Sequence, residues 1–387
     1  MQTIDGKKLL KGSVVRLEVP DVAKPLYFHL QKAVLQAGMH PMGFLIPSDD
    51  ETYNFTEQFF TYATKAQREF FPETYTRAAI DQIDGRIRIL ADTHPNALAN
   101  VDPKLVMQKA QAGKLAKDLM LGKANEGKLA WSLGVWGTPV AAKAAGLSER
   151  AYWQEIINAC YLDHDDPVQE WRRIDKTVKK IAKKLNTLKI DSLHVVGPDV
   201  DLVVGIGANR AWQSGGGSNV PSYEVFTSPD HRRVNGWIRF NQPLRDRYGN
   251  TIRGIELQFK GGVCTKATAD ENQAALTQLL KTPGGNRLGE FSLTEARLSR
   301  ITKFMANTVY DENVGGKYGN MHVAIGSAYR DCFQGVNKPT TDKEWDALGY
   351  NDSVVHEDIV STTPRSVTAT FDDGSTRVIY KDGAFLI

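Results

Sequence analysis

Five short segments in the last third of the chain hold acids and histidines against apolar neighbours: Glu224 in NVPSYEVFTSP, Glu290 in RLGEFSL, Asp311 and Glu312 in TVYDENVGG, His322 and Tyr329 in MHVAIGSAY, and His356 and Asp358 in VVHEDIV. Carboxylates and neutral imidazoles are the side chains that Zn²⁺, Co²⁺ and Mn²⁺ take as ligands. Burying several acids together is costly unless a cation neutralises them. The inventory therefore points to a paired-metal hydrolase. Each member alone has a plainer explanation, since Glu224 and Glu290 also suit the solvent face of a strand and a lone histidine beside apolar residues is commonly a satisfied core group. His356 and Asp358 are stronger as a pair: in a strand their side chains share one face and Glu357 points to the other.

Other candidates read as structure. His164 with Asp163, Asp165 and Asp166 follows a helical pattern and precedes Pro167, which marks a solvated loop. GIGANR at Gly205–Arg210 lacks the third glycine of a dinucleotide fingerprint, and the chain has no GxSxG elbow, HExxH pair or phosphate-binding loop.

Composition narrows the class. Lys and Arg number 48 against 45 Asp and Glu, a net charge of +3 that demands no nucleic-acid partner. Three widely spaced cysteines without a CxxC argue against a disulfide framework and for a reducing cytoplasm. No apolar run reaches the roughly 20 residues that cross a bilayer, so no membrane role is expected.

The elements that would position the acids fall into two halves of the 387 residues. Residues 1–190 alternate strand and helix: strands at Ser13–Val19, Met42–Ile46, Arg86–Ala91 and Lys128–Val135, helices at Asp21–Gly38, Pro103–Leu121 and Ser148–Cys160, and a basic helix from Pro167 to Leu188 with an apolar stripe at Val178, Ile181, Leu185 and Leu188. That alternation predicts an α/β domain with a largely parallel sheet. Residues 191–387 turn to strands and hairpin signals, at Asn235-Gly236, Tyr248-Gly249-Asn250, Asp373-Gly374 and Asp382-Gly383, with helices expected at Ala269–Leu280 and Leu293–Thr308. This half is expected to be an α+β, hairpin-rich domain that carries the metal site.

Taken in order, the five segments resemble the thermophilic metallo-aminopeptidase family, the aminopeptidase T and aminopeptidase S group. The matching pieces are Pro-Ser-x-Glu-Val-Phe-Thr at Pro221–Thr227, Gly-Glu-Phe at Gly289–Phe291, Tyr-Asp-Glu-Asn at Tyr310–Asn313, a seven-residue step from His322 to Tyr329, and His-x-Asp at His356–Asp358. The resemblance implies metal ligands at Glu224, Glu290, His322, His356 and Asp358, Glu312 as a further acid of the site that ligates or moves protons, and Tyr329 as a catalytic phenol. It implies two divalent ions of zinc, cobalt or manganese type, peptide substrates with a free N-terminus, and a homodimer. The expected reaction is attack on the first peptide carbonyl by a metal-activated water. A metal-dependent phosphoesterase is the alternative from another class, but few basic residues stand near the motifs to clamp a phosphate. A non-catalytic relative that binds peptide or metal is the other alternative, yet no ligand is missing.

Overall fold

The computed structural model describes residues 7–215, 217–246 and 248–387. It divides into two compact units, residues 1–152 with 217–220, and residues 153–216 with 221–387.

The first unit is built on a five-stranded parallel sheet in the order His40–Ile46, Val14–Pro20, Gly85–Leu90, Ala130–Val135, Asn219–Val220. Alternation in VVRLEVP sends Val15, Leu17 and Val19 to one face, where they pack against Val34, Leu30 and Leu26 of the helix Lys24–Gln36. That helix stops at Gly38, whose φ of 72° lets its own N–H reach Leu35 and the N–H of Met39 reach Val34. The other face packs through Val14, Met42 and Trp131 against Met120 and Ala124 of the helix Pro103–Asn125. The strand and helix alternation expected for this region is what forms. Three helices were not legible in advance, Phe55–Tyr62, Lys65–Glu69 and Glu73–Gln82; Asn54 and Thr64 cap the first two through their side chains.

The second unit contains two large antiparallel sheets and a two-stranded one, Leu244–Arg245 with Thr251–Ile252. One large sheet has eight strands and places Val200–Gly205, Ile190–Gly197 and Ser366–Phe371 at its centre; the other has five, His356–Ser361, Asn320–Gly326, Leu288–Thr294, Glu224–Thr227 and Gln213–Ser214. Hairpins turn at Asp373-Gly374 and Asp382-Gly383 as expected. Asn235-Gly236 does not turn: both residues lie inside the strand Val234–Arg239, where Gly236 pairs with Leu202 and Phe259.

Two further differences are informative. The units part after Tyr152 and not near residue 190, because the helix Pro167–Asn186 buries Ile174, Val178, Ala182 and Leu185 and packs on the strands Gln213–Ser214 and Glu224–Thr227 of the second unit. Its stripe is therefore rotated from the expected one, while Lys179, Lys180, Lys183 and Lys184 stay exposed. The helix expected over Leu293–Thr308 is absent. Leu293 and Thr294 end a strand held between Met321 and Asn320 on one side and Val225 and Glu224 on the other, and only Thr308–Asp311 turns helical. Tertiary pairing on both edges overrides the local pattern.

Candidate metal centre

The register of the five-stranded sheet sets the site. Thr294 pairs with Glu224, Ser292 with His322 and Phe226, Glu290 with Ala324, and Ala324 with Asp358, while Gly326 pairs with His356. Paired residues share a face, so alternation along four strands brings Glu224, Glu290, His322, His356 and Asp358 to the same side. The opposite side carries Val225, Phe291, Leu293, Val323, Ile325 and Ile359, all buried. The ladder shifts register between Leu288 and Glu290, where a side chain on Gly289 would collide with the backbone of Gly326 and Ser327. Such a bulge re-aims the residue beside it, here Glu290.

The polar atoms converge. His322 Nε2 lies 3.2 Å from Glu224 Oε2 and 3.5 Å from Glu290 Oε1. His356 Nε2 lies 3.1 Å from Glu290 Oε2 and 3.5 Å from Asp358 Oδ1. Among the described residues two groups could each hold an ion, Glu224 with Glu290 and His322, and Glu290 with His356 and Asp358, their donor atoms within 4.8 Å of one another in each group. Glu290 belongs to both.

Glu224, Glu290 and His322 are only 6%, 3% and 1% exposed, so water cannot offset their charges. Burial first, and then the Glu290 carboxylate, raises Glu224 above the ordinary carboxylate range. Glu312 is raised further by burial and by Glu224 and Asp358. Burial also works against a charge on His322, but its hydrogen bonds to Glu224 and Glu290 outweigh it and lift the imidazole well above its ordinary value. Asp358 would be raised by burial, yet His356 beside it holds it below the usual range. A buried Asp358 Oδ1 has no hydrogen-bond partner. Surplus acid, orphaned oxygen and paired imidazoles are what a divalent cation would satisfy, so the residues fit metal.

Supporting contacts hold these groups in place. His356 Nδ1 lies 2.7 Å from the Ser327 carbonyl, to which it donates, and this bond turns Nε2 towards Glu290 and Asp358. Ser222 Oγ donates to Glu224 Oε1 at 3.2 Å and Ser292 Oγ to Glu224 Oε2 at 3.3 Å. A side chain on Gly215 would collide with both Ser222 Oγ and Glu224 Oε1, so that loop passes against the carboxylate; its neighbour Gly216 lies outside the described residues. Asn313 donates to Glu312 Oε1 at 3.2 Å and accepts from the Tyr223 N–H at 2.7 Å. None of these was singled out from the sequence, although Ser222 and Ser292 each stand two residues from a candidate ligand.

Glu312 lies outside both groups of three, and its carboxyl faces that of Asp358 within hydrogen-bonding reach. Tyr329 packs its ring 4.7 Å from that of His356 and 5.6 Å from that of Phe226, and its N–H donates to Ser228 Oγ. Although the residue as a whole is 37% exposed, its phenol is desolvated among Glu290, Asp358, Glu312 and Glu224, which keeps it protonated. Asp311 serves structure: it accepts from the Met305 and Asn307 N–H groups at 2.7 and 2.8 Å, and burial raises it to about 7. Asp163 pairs with Arg300, and Asp166 caps the helix that follows, so that cluster is structural too.

Comparison with known proteins decides the family. The thermophilic metalloprotease (M29) family matches residues 4–385. The chain belongs to that family. Aminopeptidase PepS of Streptococcus thermophilus is 31% identical over 315 residues, covering 76% of this chain and 74% of its own. Aminopeptidase T of Thermus aquaticus is 30% identical over 324 residues, covering 79% and 77%. The structure of wild-type AmpT from Thermus thermophilus superposes with a TM-score of 0.81 at 24% identity, over 100% of this chain and 96% of that one, which establishes the common fold. Membership makes the chain a metal-dependent peptidase, and its aminopeptidase relatives place it with the exopeptidase hydrolases.

Proposed function

We propose that this M29 chain is a two-metal aminopeptidase that removes the N-terminal residue from peptides with a free α-amine, and that its site lies in the second unit. The observation that carries the reading is the sharing of Glu290 between two three-ligand groups. Glu224, Glu290 and His322 would hold one divalent ion, and Glu290, His356 and Asp358 the other. Zinc, cobalt and manganese all suit this mixture of oxygen and nitrogen donors. When bound, the ions supply Lewis acidity, polarising the scissile carbonyl and making water acidic near neutral pH.

The rest of the chemistry belongs to the chain. Glu312, expected as ligand or as proton carrier, is proposed for the second role: buried and raised, its carboxyl is suited to take the proton of the attacking water and pass it to the leaving amine. Tyr329 stays protonated and donates its O–H to the oxygen on which charge develops, a contact worth about 3 to 4 kcal/mol in comparable sites. Four carboxylates against two imidazoles leave the pocket electronegative, which favours a substrate with a cationic α-ammonium. The reading extends to a homodimer in a reducing cytoplasm; free Cys160, Cys264 and Cys332 support the latter.

The test is to strip the protein with chelator, restore Zn²⁺, Co²⁺ or Mn²⁺ separately, and measure release of the first residue from free and N-acetylated peptides. Activity should depend on metal and vanish on acetylation. Equal cleavage of the two peptides would sink the exopeptidase reading.

A further inference from the structure

The first unit has a cluster of charge of its own, opposite in sign to the acids of the metal centre. Arg16, Glu18, Arg86 and Arg88 lie on one face of the parallel sheet, Arg16 in register with Arg86 and Glu18 with Arg88. The single carboxylate is fully engaged: Arg16 Nε lies 2.6 Å from Glu18 Oε1, and Arg86 Nη2 lies 2.6 Å from Glu18 Oε2. Arg16 also stacks over Phe44, 4.8 Å from its centroid. Among the described residues Arg88 makes no hydrogen bond or ion pair; it feels the field of Glu18, an acid that Arg16 and Arg86 already engage. Three guanidiniums against one carboxylate give the cluster two surplus positive charges.

Its place in the fold is the second observation. Val14–Pro20 and Gly85–Leu90 are neighbouring parallel strands. The helix that follows the first packs on the Val15, Leu17 and Val19 face, whereas the helix that follows the second packs on the face of Met42 and Trp131, which is also the face of Arg16 and Arg86. The chain therefore leaves these two strands towards opposite sides of the sheet. In open parallel sheets, the crevice beyond the carboxyl ends at such a switch point is where ligands bind. Glu18 and Arg88 each stand two residues from the carboxyl end of their strand. We propose that this crevice binds a small oxyanion, a carboxylate or phosphate group gripped by Arg88 with Arg86 and Arg16 behind it. The planar guanidinium fork matches both groups.

The experiment uses the full, metal-loaded chain. Binding of inorganic phosphate and of acetate is measured by calorimetry at fixed ionic strength, in wild type, Arg88→Gln and a charge control in the second unit, Lys260→Gln. Arg88 has no partner to lose, so its variant should melt with wild type. Saturable binding is expected, weakened at least about tenfold by Arg88→Gln and unchanged by Lys260→Gln. Phosphate binding without acetate binding assigns the site to phosphoryl ligands; binding of acetate assigns it to carboxylates. Absence of saturable binding for both anions overturns the proposal, and so does equal affinity in Arg88→Gln, which would place any bound anion elsewhere, including at the metal centre.

Discussion

The two charged clusters differ in how their sheets treat them. In the first unit, Arg16 and Arg86 keep roughly a quarter of their side-chain surface in water, at 22% and 24%, so a surplus of guanidinium charge can remain solvated. In the second, Leu288–Thr294 and Asn320–Gly326 are buried at every position, and Glu290 and His322 are charged or chargeable groups inside strands that are otherwise apolar. A surplus of carboxylate there has no solvent to fall back on. Burial, more than the count of charges, decides which cluster must have a counter-ion to be stable.

That contrast can be broken most sharply at Glu290. Glu290→Gln removes a ligand from both groups at once, and we expect peptidase turnover to fall to background with a lower metal-to-protein ratio by elemental analysis; full metal content would show that the groups do not share it. Tyr329→Phe should retain metal but lose about 10²- to 10³-fold in kcat, since only the donor to the developing charge is gone; near-normal turnover would remove Tyr329 from the chemistry. Ser292→Ala leaves Glu224 with one fewer donor, and competition with a chelating dye should show metal bound at least about tenfold more weakly. The smallest effect concerns a solvated pair. Arg300 holds Asp163 down to about 2 from 3.8, so this carboxylate stabilises the fold above its unfolded value and the contribution is lost as pH falls from about 4 to about 2. Melting curves across that window should fall less steeply in Arg300→Gln, and by little, as exposed pairs contribute little.

The residues that converge were legible as candidates because each sits in a strand segment whose own neighbours mark it, and because His356 and Asp358 obey a two-residue period that any strand enforces. What held them in place was not. Ser222, Ser292 and the Ser327 carbonyl act across 2, 68 and 29 residues of sequence, so their meaning exists only once the strands are paired. The expected helix at Leu293–Thr308 failed for the same reason: its first residues have good helical spacing, but two flanking strands claim their backbone. The unit boundary was displaced because the amphipathic helix Pro167–Asn186 reads the same whichever sheet it covers. The arginine cluster was visible only as scattered basic residues until register aligned Arg16 with Arg86 and Glu18 with Arg88.

The position of Glu290 between His322 and His356 has a thermodynamic consequence. If two ions fill the site as proposed, one carboxylate that faces both histidines would tie the filling of the two positions together. Linkage is reciprocal, so whatever factor the first ion applies to the affinity of the second, the second applies to the first. Activity plotted against free metal should therefore depart from the sum of two independent saturation curves, and the departure measures how strongly a single side chain couples the pair.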